Sequence, residues 1–526
     1  MDKALKMGKA SATGSFQLLV GVASSTIVMA IGTIILARLL APDDYGLYTV
    51  ALIPSTMINL FRDWGVNSAM TKYIAHLRAT NKESEISDVV VAGVTFEFAT
   101  GLTLSLFSFL AAGFFASVLQ RPMSTAFISI ISITIFGGSL FTAAQSSFIG
   151  FERMELNSFT LICQSIIKTA VGPLLVILGF GVLGAVVGYT VSFLAEGIIG
   201  IAILYFVVYR RLIKAKARRR ERSKTLKKML RYGVPLSISS ILSGVLGQFY
   251  GFMMASYANN STIGNYQAAL NFSVLLTFFT VPIGTVLFPA FAKLNPEKEP
   301  ELLRTVFASS VKYAAILLVP ATMAVMALST PMVNTLFGEQ YAYAPFLLTL
   351  NVISNLLAVF GSLSVGSFLL GLGETKMMMK LSMLTLTIGI PIGFLMIPIL
   401  GIVGVILGII LSGLPSMVWV LYWIWKHYKA RADFQSSAKI FLASGIAAVA
   451  TYLPTAFLNT ASWIKLIIGL IIFLMVYVLD APLIGAVSQE DINNLRAVFS
   501  GLGFISKTID IPLTLAEMVA ARFHRS

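Results

Sequence analysis

Ionisable side chains inside long apolar stretches are the residues of this sequence with the most chemistry to offer. Lys168 stands midway along the apolar run 156–178, Glu196 midway along 182–208, and Glu97 in the inner half of 88–117. Charge is expensive at such depth, so residues of this kind face a cavity, pair with one another, or both. An ammonium at 168 suits a substrate phosphate, and a carboxylate at 97 or 196 suits a proton or Na⁺. A Lys168–Glu196 or Lys168–Glu97 pair that only ties helices together accounts for the same residues equally well. Arg38 with Asp43 and Asp44, and Arg62 with Asp63, sit at the outer and inner ends of the first pair of runs. Guanidinium matches phosphate geometry better than ammonium, so Arg38 and Arg62 join Lys168 as candidate substrate-binding residues. Glu196 and Glu97 are the candidate coupling-ion residues. Snorkelling and helix capping explain the arginines and aspartates structurally. Gln145, Gln164, Gln248 and Asn271 are amides at similar depth, where a helix–helix hydrogen bond is the usual use.

No enzyme pattern accompanies these residues. His76, His427 and His524 all fall in segments expected on the cytoplasmic side, so neither a metal cluster nor a nucleophile–base pair is foreseen. There is no Walker loop. The chain is read as a non-enzyme without a cofactor, driven by H⁺ or Na⁺ exchange or by the trans-leaflet gradient of its substrate alone.

The elements that position these side chains are membrane helices. Of the 526 residues 57% are hydrophobic and 12% charged, and the mean hydropathy is +0.86, more apolar surface than a soluble domain can hide. Apolar stretches recur from Phe16 to Gly485 and are continuous rather than alternating, which predicts an all-α polytopic membrane protein and not a β-barrel. About fourteen spans are expected, near 16–37, 45–61, 88–117, 124–149, 156–178 and 182–208, then 232–257, 263–290, 306–328, 343–370, 379–399 and 402–425, with two more near 438–457 and 462–485. With the N-terminus inside, 34 of the 38 Lys and Arg fall on the inner side, and Arg38, Arg121 and Lys465 on the outer. That asymmetry sets both termini cytoplasmic. The net charge of +15 is read as topology and headgroup attraction, with no nucleic-acid partner. Cys163 is the one cysteine, so no intramolecular disulfide exists. Lys3, Lys6 and Lys9 precede a first apolar run too long for a signal peptide, so that run is expected to remain as the first span. Asn259-Asn260-Ser261 and Asn260-Ser261-Thr262 form overlapping glycosylation triplets in a loop too near the membrane for ready use.

The chain repeats itself. ILARLLAPDDYGLYTVAL at 35–52 aligns without a gap to MMASYANNSTIGNYQAAL at 253–270, matching Ala37 with Ala255, Gly46 with Gly264 and Tyr48 with Tyr266 at an offset of 218. IGFERM around Gly150 matches LGLGETKM around Gly371 at 221, and VLGAVVGYTVS matches IVGVILGIILS at 220. Gly184-Gly188 and Gly404-Gly408 carry the small-xxx-small spacing of close helix packing. Six spans per copy make the repeats parallel, with substrate expected near the midplane between them. The domain expectation is an N-lobe at 1–209, a basic cytoplasmic linker at 210–231, a C-lobe at 232–425, two additional spans at 438–485 and a cytoplasmic interfacial tail at 486–526.

The run ILARLLAPDDYGLYTVALIPSTMINLFRDWGVNSAMTKYIA at 35–75, the GFERM and GLGETKM turns, and LFGEQYAYAPFLLTLN at 336–351 resemble the polysaccharide-export flippases of the multidrug/oligosaccharidyl-lipid/polysaccharide exporter superfamily. The resemblance implies two six-helix lobes around a central cavity plus two C-terminal helices. It implies a monomeric flippase of the cell (plasma) membrane that moves a polyprenyl-diphosphate oligosaccharide from the inner to the outer leaflet. Its partners would be that lipid-linked substrate, membrane lipids and polysaccharide assembly enzymes. Relatives that move cell-wall precursor use arginines around the first two helices, the stretches that hold Arg38 and Arg62 here. The alternative is a cation-coupled multidrug antiporter of the same fold, which would depend on Glu97 or Glu196. A membrane glycosyltransferase would need a sizeable outer loop, and none of the expected outer loops exceeds about fifteen residues by the span assignment.

Overall fold

The computed structural model describes residues 2–80, 82–210, 222–499, 510 and 514–518, and among them the chain is helical with no β-strand. The centre of the expected basic linker, 211–221, and most of the tail beyond 499 lie outside the described residues. Among the described residues nine helical runs are long and apolar enough to cross a membrane, and counting each of two bent pairs as one span raises the number to eleven. Two of the nine, Gly21–Asn59 and Met154–Tyr209, run for 39 and 56 residues, whereas about 20 suffice for one crossing. Each contains a non-helical break, at Ala41 and at Gly179, so each accommodates two of the expected spans. Length and composition alone do not return fourteen.

The elements are α1 (Asp2–Asn59), α2 (Val66–Ala79), α3 (Glu83–Leu110), α4 (Ala112–Val118), α5 (Thr125–Gly150), α6 (Met154–Leu175), α7 (Gly181–Ile203), α8 (Arg222–Tyr257) and α9 (Asn260–Ala292). They continue with α10 (Pro300–Ala327), α11 (Ser329–Leu336), α12 (Ala344–Val352), α13 (Ser362–Gly371), α14 (Thr375–Leu400), α15 (Ile402–Tyr428), α16 (Phe434–Phe457), α17 (Ser462–Leu483) and α18 (Gln489–Phe499). By compactness the chain divides into Met1–Gly264 and Asn265–Ser526. The first compact unit thus keeps α8, which the sequence repeat groups with the second copy.

In the first unit α6 lies along α1, and α5 lies between α3 and α7. The inner segment after α1 is not a loop. Val66, Met70, Ile74 and Leu77 recur at helical spacing and bury against Ile86, Val89 and Phe148, while Lys72, His76 and Arg78 stay exposed. The result is the amphipathic helix α2. It holds α8 by crossed cation–π contacts, with Lys72 Nζ 3.8 Å from the Tyr232 ring centre and Lys228 Nζ 4.8 Å from that of Tyr73. At the other end of α8, Arg121 donates to the carbonyls of Ala255 and Ala258 and to Asn260 Oδ1. A cation there also complements the helix dipole.

The sequence repeat is visible in the backbone. Gly181 (φ 50°, ψ −133°) and Gly401 (φ 58°, ψ −130°) open α7 and α15 in the same conformation. Glu152 (φ 57°) and Gly373 (φ 78°) turn the chain the same way at the matching inner ends. The repeated glycines Gly46 and Gly264 meet each other. A Cβ on Gly46 would stand 1.8 Å from the Asn260 carbonyl oxygen, and one on Gly264 would stand 1.9 Å from that of Pro42. Pro42 and Asn260 are themselves repeat partners, so the contact is self-complementary in the manner of an isologous interface. Within the small-xxx-small pair, Gly188 lies against Gly172 on α6 and admits no Cβ.

The second unit pairs α14 with α15 and α16 with α17, and packs α10 on α16. Ile492 of α18 and Ala516 enter the cluster formed by Ile440, Ala443, Ala447 and Phe473, so the described part of the tail is tied to the helices. Lys312 Nζ bonds the buried Asp491 carboxylate at 2.6 Å. Burial raises the Asp491 pKa, but the Lys312 and Ser488 bonds more than offset it and hold the pKa below its ordinary value.

Two outcomes are expected. Gly264→Val, which cannot coexist with the Pro42 carbonyl, should lower the Tm in detergent, whereas Gly247→Val, which meets nothing nearby, should leave it unchanged; equal Tm values of the two would show that the glycine contact is dispensable. A depressed folded-state pKa contributes stability above the unfolded value of about 3.9 that is lost as pH falls through the folded value. Asp491→Asn should therefore expose the tail to limited proteolysis at pH 7, at a cost of about 2 kcal/mol, moderated by the partly exposed Lys312. The wild type should reach that sensitivity only in acid.

Candidate transport site

Two buried charge clusters form in the first unit, and they solve the problem of burial differently. The first gathers on the inner turn after α1. Arg62 (6% exposed) and Glu97 (0% exposed) face each other with Nε 3.7 Å from Oε2. Asn67, at the start of α2, donates its Nδ2 to Glu97 Oε1 at 2.8 Å. Among the described residues, Arg62 Nε, Glu97 Oε2 and Asn67 Oδ1 have no hydrogen-bond partner. Buried polar atoms in that condition call for a small polar guest. One donor beside two acceptors fits a water or a proton, and the guanidinium 3.7 Å away opposes a metal cation.

The second cluster lies between α6 and α7. The Lys168 ammonium sits 4.9 Å from the centre of the Tyr189 ring. Tyr189 continues into an aromatic group with Phe193, Tyr48 and Tyr45. Glu196 is buried at 2% exposure with Oε1 unbonded. It acts electrostatically on Lys168, yet no ion-pair contact joins them. The cation is held by a ring face and a distant carboxylate, so much of its charge is not neutralised. Thr169 anchors this part of α6 by bonding the Val28 carbonyl at 2.9 Å.

Of the candidates read from the sequence, the structure thus groups Arg62 with Glu97 and Lys168 with Glu196. Arg38 stands apart, exposed on α1 shortly before the break at Ala41. Gln145 and Gln248 make the expected bonds between helices, to Asn157 Oδ1 at 3.1 Å and with the Thr56 hydroxyl at 3.2 Å. Sequence reasoning missed Asn67 and the Tyr45–Tyr48–Tyr189 group. The duplicated Tyr48/Tyr266 pair was a cue to the tyrosines, whereas nothing in the sequence marks Asn67 as a partner of a carboxylate thirty positions away.

Beside the first cluster lies a cavity of about 370 Å³, lined by Thr56, Asn59, Leu60, Asp63, Gly65, Ser68, Leu236, Ser237, Ser240, Ile241 and Gln248. Asp63 Oδ1 accepts from the Gly65 amide at 2.8 Å, and Ser237 bonds the Asp63 carbonyl.

The helices, the internal repeat and the buried charge define an integral membrane protein with the fold of a known class of transporters. The solved lipid II flippase MurJ in an inward closed conformation superposes with a TM-score of 0.70 at 15% identity, covering 89% of this chain and 98% of that one. An inward-facing multidrug resistance MATE family transporter of the MOP superfamily superposes at 0.64 with 18% identity, covering 78% and 98%. Residues 35–345 match the family described as polysaccharide biosynthesis protein, and the chain belongs to that family. Among its relatives, the lipopolysaccharide biosynthesis protein WzxC of Escherichia coli strain K12 is 24% identical over 401 residues, 74% of this chain and 76% of the relative. The probable low-salt glycan biosynthesis flippase Agl15 of Haloferax volcanii is 19% identical over 260 residues, 49% and 55% of the two chains.

The Arg62–Glu97 geometry makes a stability prediction. Arg62→Ala strands a buried carboxylate and should cost about 3 kcal/mol, seen as a lower Tm in detergent. Adding Glu97→Gln should restore most of the loss. A double variant no more stable than the single one would show that the pair is not what holds this turn.

Proposed function

We propose that this protein is a flippase. It moves a polyprenyl-diphosphate oligosaccharide from the inner to the outer leaflet of the cell membrane by alternating access, for surface polysaccharide or glycan assembly. Family membership and the names of the relatives support that reading. The observation that carries it is Lys168, a cation held in a membrane helix with an aromatic face and no ion-pair contact. Charge kept at that depth without neutralisation needs a use, and a diphosphate supplies the matching anion.

In this mechanism the diphosphate is drawn to Lys168 while the polyprenyl tail stays in the bilayer. Arg62 becomes available only when Glu97 gives up its charge, because the carboxylate already occupies the guanidinium. A proton on Glu97 would free Arg62 for phosphate, which makes Glu97, with Glu196 as its counterpart, the coupling residue. The nearby guanidinium and ammonium favour H⁺ over Na⁺. The protein acts as a monomer in the plasma membrane beside the enzymes that build the glycan, with both termini cytoplasmic. That orientation rests on the inner placement of 34 of 38 basic residues. The likeness to a MATE transporter supports a second reading, a cation-coupled drug antiporter, through the same two carboxylates.

Protein reconstituted in liposomes should carry a fluorescent polyprenyl-diphosphate sugar across the bilayer, and no acceleration over empty liposomes would sink the flippase reading. Lys168→Ala should slow flipping at least tenfold, the loss of one charged contact, while leaving the protein folded. Full activity in Lys168→Ala and Lys168→Met would make Lys168 structural. Protection of cells against organic cations, lost in Glu97→Gln or Glu196→Gln, would favour the antiporter instead.

A further inference from the structure

The cavity beside the Arg62–Glu97 pair has a lining unlike the two charge clusters. Thr56, Asn59, Ser68, Ser240 and Gln248 present hydroxyls and amides, Leu60, Leu236 and Ile241 supply apolar surface, and Asp63 is the one charged residue. Among the described residues no lysine or arginine lines it. A phosphate would have no cation to meet there and would stand against a carboxylate. We propose that this cavity is the subsite for the sugar of the lipid-linked substrate and that it selects against acidic sugars. The inference rests on the flippase reading and assigns to that substrate a part which the buried cations do not explain.

The chemistry of the lining argues for a sugar. A pyranose offers a ring of hydroxyls that both donate and accept and a face of C–H groups that is apolar. Amides answer both hydrogen-bonding roles, a carboxylate accepts from two adjacent hydroxyls, and aliphatic side chains cover the C–H face. The volume, about 370 Å³, falls at the low end of the ~300–1,000 Å³ of small-ligand sites and suits a mono- or disaccharide. Several of the groups are engaged within the protein but keep capacity for a ligand: the Ser240 hydroxyl donates to the Leu236 carbonyl at 3.2 Å and can still accept. Gln248 Oε1 accepts from Thr56 at 3.2 Å, which orients the amide and leaves its Nε2 free to donate. Asp63 Oδ1 accepts from the Gly65 amide, and its second oxygen remains to accept from a ligand. Asn59, Ser68 and Ser240 are exposed to the cavity. Asp63 also acts electrostatically on Glu97, so the cavity adjoins the pair that would release Arg62 to the diphosphate. Sugar and phosphate would then be read by neighbouring groups of opposite character.

The test compares three lipids on the full chain in nanodiscs: bare undecaprenyl diphosphate, the same lipid bearing N-acetylglucosamine, and the same lipid bearing glucuronic acid. The wild type should bind the N-acetylglucosamine lipid most tightly. Asn59→Ala and Gln248→Ala should each weaken that binding by about tenfold, the usual consequence of one lost hydrogen bond to a ligand, and leave bare undecaprenyl diphosphate unchanged. The bare lipid thereby reports that each variant is folded. Asp63→Asn should improve binding of the glucuronic acid lipid relative to the neutral one. The subsite is overturned if the variants lose bare and glycosylated lipid equally, if neither variant affects the glycosylated lipid, or if the wild type binds the bare lipid as well as the sugar-bearing one. Binding of none of the three by the wild type would overturn the flippase reading itself.

Discussion

A carboxylate with no access to water must be answered by its neighbours, and Glu97 places that demand on the turn after α1. The group is fully buried. Arg62 and Asn67 converge on it from the two sides of one inner turn. Removing either would leave charge or hydrogen-bonding capacity unmatched in a place where that costs several kcal/mol. The constraint therefore reaches beyond the pair. It fixes where α1 ends, where α2 begins, and so where Asp63 and the cavity beside it lie. The amphipathic α2 is held on one face by Val66, Met70 and Ile74 and on the other by exchange of lysines and tyrosines with α8.

The internal repeat imposes a second constraint, on shape rather than charge. Equivalent glycines turn the chain identically at Gly181 and Gly401, and equivalent glycines meet at Gly46 and Gly264. A contact between repeat partners keeps its complementarity only if both positions stay without a side chain. This explains why Gly46 and Gly264 match where the charged residues around them do not: Arg38 faces Ser256 in the alignment, and Asp43-Asp44 face Ser261-Thr262. Architecture is duplicated here, whereas the charged residues of this segment are not.

The membrane fold was legible because its signal is an average. Runs of some twenty apolar residues survive errors at individual positions. The repeat was legible for a similar reason, since glycines needed for positive φ or close approach tolerate no substitute. The pairings were not legible. Lys168, Glu196, Glu97 and Arg62 stood out as costly residues, but apolar periodicity does not say which helices adjoin. Whether Glu97 answers Lys168 or Arg62 depends on α2, whose fourteen residues carry too many polar groups to register as a span. The compact boundary at Gly264 was hidden as well, because α8 resembles the second copy in sequence while packing with the first.

The two charge clusters, taken together, suggest why a transporter would keep both. In the proposed mechanism Lys168 is the standing cation: its partners are a ring and a carboxylate beyond ion-pair reach, which leaves it to meet the diphosphate. Arg62 is a conditional cation, neutralised by a carboxylate at 3.7 Å until that carboxylate takes a proton. A site made only of standing cations would bind a diphosphate too firmly to release it into the other leaflet. One that gains its second cation by protonation binds more tightly when the proton is present and lets go when it leaves. Linkage makes the effect reciprocal, so the diphosphate in turn favours the proton on Glu97. In the proposed mechanism the buried Arg62–Glu97 pair is in this way also the element through which proton and substrate sense each other.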